Sequence, residues 1–94
     1  MNFGEALDAL RMGRKVCRSG WNGKGMWLRI AVPLTDDNQP PGYWENWPGH
    51  ATMYVDKMMD LPYIYMSTAQ HLKVPWLASQ SDMLAEDWEI VSEN

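Results

Sequence analysis

The segment KVCRSGWNGKGMWLRIAV, residues 15–32, consists of two runs of alternating side chains joined by a glycine-rich link. Residues 15–18 alternate as a short strand, and residues 26–32, MWLRIAV, read as a second. The asparagine and glycines between them permit the positive φ angles of tight or bulged hairpin connections. An antiparallel pair is therefore the expectation. A plain turn does not account for Trp21, because the largest apolar side chain seldom belongs beside flexible backbone. Lys24 and the backbone N–H groups of Gly23 and Gly25 suit a bound phosphate. The spacing is not that of a Walker loop, which has a hydroxyl residue after its lysine.

Outward from this pair, the chain opens with a helix signal. Asn2 stands as N-cap, Glu5 follows three residues on as in a capping box, and Phe3, Ala6, Leu7 and Leu10 share one face up to Gly13. Residues 33–60 are rich in turn formers and form a long excursion, whose Tyr43, Trp44, Trp47 and Tyr54 point to packing against something. Within it, residues 52–55 read as a short strand. Residues 62–68, PYIYMST, read as a central strand, and residues 72–76 return after a turn at residues 69–71. Ser79 or Ser81 caps a short helix ending at Leu84 or Ala85. Residues 88–91 close the sheet. The expected fold is α+β: one domain over residues 1–94, with an N-terminal helix on an antiparallel sheet of about four or five strands, a long loop excursion and a short C-terminal helix.

Composition bounds the function. At 94 residues the chain is short enough to bury only about 60–70% of its unfolded surface. The lone Cys17 excludes an intrachain disulfide, so self-association is the expected support. There is no apolar run of bilayer length and no signal-peptide pattern at the start, which points to the cytosol rather than a membrane. Residues 1–30 carry six Lys or Arg against two carboxylates, and residues 31–94 carry two against ten. A compact basic zone on an acidic body suits a small anion better than a long nucleic acid, whose binding needs an extended positive surface.

Catalytic constellations are scarce. His50 and His71 have no companion at metal-ligand spacing, and Ser79 and Ser81 lack a nucleophile-elbow context. Asp82, Glu86 and Asp87 sit where carboxylates cap helices or meet solvent more often than they act as an acid/base pair. What is unusual is a set of aromatics beside small polar groups: Trp21 with Asn22, Trp76 with Ser79 and Gln80, Trp44 with Asn46 and Trp47. Indoles stack on nucleobases, and amides and hydroxyls read base edges and riboses. The same tryptophans also fit core or subunit-interface roles.

Three blocks carry a family resemblance: MNFGEALDALRMGRKVCRSGWNGKGMW, DLPYIYMSTA and VPWLASQSDMLAEDW. They resemble the short phage and prophage proteins of the anti-Thoeris nucleotide-sponge family. The resemblance implies a non-enzymatic protein without cofactor or metal that binds the cyclic nucleotide signal of a bacterial immune system. For Thoeris that signal is a glycocyclic ADP-ribose, and some members also hold CBASS cyclic dinucleotides at separate sites. It further implies a homotetramer in the host bacterial cytoplasm, with pockets between subunits. The family's motif positions are Trp21, Asn22, Gly23, Lys24 and Met26, then Trp76, Ser79, Gln80, Asp82 and Leu84. In this reading Trp21 and Trp76 stack, while Asn22, Ser79, Gln80 and Asp82 recognise polar groups. Arg18 or Lys24 faces phosphate. A hydrolase of the same signal and a protein-interaction module without a nucleotide ligand are the rival readings.

Overall fold

The computed structural model describes residues 1–21, 24–34 and 42–92. Helix α1 spans Phe3–Arg11 and begins with the expected reciprocal cap: the Asn2 side chain accepts from the Glu5 backbone N–H, and the Glu5 carboxylate accepts from that of Asn2. The helix ends at Gly13, whose φ of 80° is open to glycine without strain. Its face of Ala6, Ala9 and Leu10 is buried against the sheet.

The strands are β1 (Val16–Arg18), β2 (Trp27–Pro33), β3 (Tyr54–Asp56), β4 (Tyr63–Ser67), β5 (Lys73–Pro75) and β6 (Trp88–Ile90), and helix α2 spans Gln80–Leu84. They form one sheet in the order β5-β4-β2-β1-β6, with β3 also paired to β2. The pairings on the main path are antiparallel, as expected from the hairpin reading, but β3 runs parallel to β2. That reversal is possible because the excursion before β3 is long enough to carry the chain back across the sheet. Two short 3-10 helices, Tyr43–Asn46 and His50–Thr52, lie on this path. The central strand is β2 rather than β4, since β1 and β3 share one of its sides and β4 takes the other.

Register sorts the side chains by face. Leu28, Ile30 and Val32 of β2, Val16 of β1 and Trp88 of β6 are buried with Leu10 under α1. Trp44 and Met53 from the excursion join the same core, so Trp44 is a packing residue and not an exposed one. Trp47 lies beside them, half-buried, with the Arg11 guanidinium 5.7 Å from its ring centre. The alternate residues of β2, Trp27, Arg29 and Ala31, point to the opposite face, where neither helix packs.

Candidate functional site

Trp88, 2% exposed, is the floor of an indole cluster on the helix side of the sheet. Trp21 meets it edge-on with ring centres 5.5 Å apart, and Trp76 does so at 6.1 Å. Phe3 of α1 tilts against both Trp76 and Trp88. The two outer tryptophans remain half-buried. Each therefore combines a packed edge with remaining exposed surface, the arrangement in which an indole both supports a fold and meets a ligand.

One carboxylate organises this cluster. Asp82 accepts from the Ser79 hydroxyl at 2.9 Å and the Ser79 backbone N–H at 3.1 Å, completing the capping box of α2. Its other oxygen accepts from Arg18 at 2.9 Å and from the Trp21 indole N–H at 3.5 Å. The Asp82 backbone carbonyl accepts from the Trp88 indole at 3.0 Å. Burial works against the charged carboxylate, yet the bonds from Arg18, Ser79 and Trp21 hold Asp82 below the usual carboxylate range.

Arg18 also donates to Asp87 at 2.8 Å, and Asp87 accepts the Gly20 backbone N–H at 2.8 Å. The Arg18 bond, ahead of the other contacts, lowers the Asp87 carboxyl too. Arg18 is thus a two-carboxylate clasp that fixes where the chain leaves β1 toward Trp21. The structure brings together Arg18, Trp21, Trp76, Ser79 and Asp82. Lys24 and Gln80 lie exposed nearby in sequence, and Met26 is half-buried. Asn22 lies outside the described residues.

The open face of the sheet carries a second constellation. Lys15 Nζ, Lys73 Nζ and the Arg29 guanidinium lie 4.4, 5.2 and 6.0 Å from the centre of the Trp27 ring. Beside them is a cleft of about 510 Å³ whose lining includes Tyr54, Tyr63, Tyr65, Met59 and Pro75. Tyr63 donates its hydroxyl to Asp56 at 2.6 Å. That bond, ahead of burial, pushes the Tyr63 phenol up to about 12 and lowers Asp56. Trp76 also lines this cleft and so borders both constellations. Sequence reasoning missed this face, although the signal was there. In both WLRI and YIYMS, polar or aromatic residues alternate with aliphatic ones at the period of a strand with two different faces.

Among the described residues no group of three or more His, Cys, Asp or Glu is placed to hold a metal ion. No helix among them is long and apolar enough to cross a membrane. The molecule is thus an α+β domain with an indole cluster on one side of its sheet and an aromatic, cationic face on the other.

The Thoeris anti-defense 2-like domain matches residues 1–91. The chain is 40% identical over 94 residues to Thoeris anti-defense 2 of Bacillus phage SP01, covering 98% of this chain and 96% of that protein. The chain belongs to the Thoeris anti-defense 2-like family.

Proposed function

We propose that the protein sequesters the cyclic nucleotide signal of Thoeris, a glycocyclic ADP-ribose, and leaves its bonds uncut. Family membership supports action against Thoeris. The observation that carries the finer reading is the pair of half-buried indoles, Trp21 and Trp76, held on Trp88 beside a cluster of polar groups. An adenine stacks on such a face, and ribose hydroxyls find partners in Asn22, Ser79 and Gln80. With Arg18 clasped by Asp82 and Asp87, Lys24 is the cation that faces the pyrophosphate. Pockets of this kind are completed by neighbouring copies in a homotetramer, acting in the host cytoplasm. CBASS cyclic dinucleotides are a second class of ligand held at separate sites.

Thermal denaturation with and without glycocyclic ADP-ribose tests this. Ligand at 100 times its dissociation constant raises stability by about 2.7 kcal/mol. Trp21→Ala abolishes that shift while the apo protein still unfolds cooperatively. An unchanged shift in the variant rules out stacking on Trp21.

A further inference from the structure

Trp21 is held at its ring and at its backbone by one dipeptide, Asp87–Trp88, at the entrance of β6. The ring meets the Trp88 indole edge-on, with the planes at 81° and the ring centres 5.5 Å apart. The backbone closes a tight turn, in which the Trp21 N–H donates to the Arg18 carbonyl at 3.3 Å. Asp87 grips that turn. Arg18 of β1 stands opposite Trp88 of β6, which brings Asp87 level with Ser19, and the Asp87 carbonyl accepts the Ser19 N–H at 3.1 Å. Its carboxylate extends the hold: one oxygen accepts from Arg18 Nε at 2.8 Å, the other from the Gly20 N–H at 2.8 Å and the Ser19 hydroxyl at 3.4 Å.

Gly20 has a reason to be small in this arrangement. It lacks the left-handed backbone of Gly13 and Gly25, so its conformation does not call for glycine. What it permits is close approach, since a Cβ on Gly20 meets Asp87 Oδ2 at 2.7 Å. Direct contact between Asp87 and the ligand is disfavoured on charge, because a carboxylate repels the pyrophosphate of a nucleotide signal. The same carboxylate is well suited to bending a chain, as hydrogen bonds to a charged acceptor are the strong ones.

We infer that Asp87 is a positioning residue for ligand binding: its carboxylate sets the turn from Arg18 to Trp21 and so aims the Trp21 indole, without itself touching the ligand. Gly20 is the small residue that lets it reach. The effect on affinity rests on the reading of Trp21 as a stacking residue, whereas the aim of the indole does not.

The test uses the full chain labelled with 5-fluorotryptophan, in which the Trp21→Phe variant identifies the fluorine resonance of Trp21. Asp87→Asn keeps the shape of the side chain and loses its charge and one acceptor. Gly20→Ala leaves Asp87 in place and crowds its carboxylate away from the turn. Both variants move the Trp21 resonance of the apo protein and leave those of Trp44 and Trp47 unchanged. Both also weaken glycocyclic ADP-ribose, followed by calorimetric titration, by about tenfold, roughly the worth of one charge-assisted hydrogen bond. Gly13→Ala, at the end of α1, lowers stability but keeps both the affinity and the Trp21 resonance, which separates aiming from stabilising. Unchanged binding in Asp87→Asn and Gly20→Ala overturns the inference. Weakened binding with an unmoved Trp21 resonance also overturns it, because Asp87 then acts on the ligand directly. A parent protein without affinity for glycocyclic ADP-ribose refutes the proposed function instead, and the apo resonance then decides alone: a moved signal upholds the aiming role of Asp87, and an unmoved one overturns it.

Discussion

Arg18 and Asp82 hold each other at 2.9 Å across 64 residues of sequence, with 19% and 12% of their side chains exposed. The pair ties the start of the glycine-rich link to the cap of α2, and the same carboxylate reaches the Trp21 indole. Asp82 is therefore a positioning residue in this structure: both of its oxygens are occupied by protein donors, from Arg18, Ser79 and Trp21.

Removing that carboxylate leaves Arg18 short of a partner in a largely enclosed place. Asp82→Ala is expected to cost about 2–3 kcal/mol, the upper part of the range for leaving hydrogen-bonding groups unsatisfied, because the cap of α2 is lost while Arg18 keeps Asp87. Asp82→Asn keeps the shape and loses the charge, at about 1–2 kcal/mol. Urea unfolding monitored by tryptophan fluorescence measures both, because Trp88 donates its indole N–H to the Asp82 carbonyl and reports the loss of α2.

Acid should weaken the same clasp. Asp82 and Asp87 have lowered pKa values when folded, whereas an unfolded aspartate titrates near about 3.9. Between the folded and unfolded values the unfolded chain binds more protons, so stability falls as pH drops. The contribution is fully present above about pH 4 and is lost as pH falls through the folded values. Melting temperatures from pH 7 to pH 3 show this decline, and Arg18→Met makes it shallower.

The sheet's far side has its own titration. Tyr63 is pushed up to about 12 by its bond to Asp56. Its folded value is raised, so the contribution of the bond is present below about pH 10 and is lost as pH rises through 12. Ultraviolet titration of the phenols shows Tyr63 and the burial-raised Tyr65 ionising late, and Asp56→Ala returns the Tyr63 step toward the ordinary value.

The end of α1 depends on two glycines in contact. Gly13 has φ 80°, and a Cβ there meets Thr52 Oγ1 at 2.7 Å. Gly49, whose N–H donates to the Arg11 carbonyl, has the backbone of Met12 and Gly13 where its own Cβ would lie. Gly13→Ala is expected to cost about 1–2 kcal/mol from the left-handed backbone alone. Chemical denaturation measures it, and Gly25→Ala serves as a control with positive φ but open space around the Cβ.

Much of the fold was legible because its signals are local. The Asn2 and Glu5 cap, the alternation of β2 and the Ser79 cap each lie within a few residues of sequence. The parallel pairing of Ala31 with Tyr54 was not legible, since it joins residues separated by the whole excursion. The indole cluster was readable as composition, whereas the roles inside it were not. Arg18 is basic in any reading, and only the fold places it between Asp82 and Asp87. The gathering of Lys15, Arg29 and Lys73 on Trp27 likewise depends on strand order, which periodicity does not contain.

The most direct measurement mixes glycocyclic ADP-ribose with a molar excess of binding sites, confirms that free ligand disappears, then heat-denatures the protein and quantifies the nucleotide by mass spectrometry. Sequestration predicts full recovery of the intact signal, and no depletion by Trp21→Ala. Recovery as a linear or hydrolysed product, or no depletion by the parent protein, contradicts it.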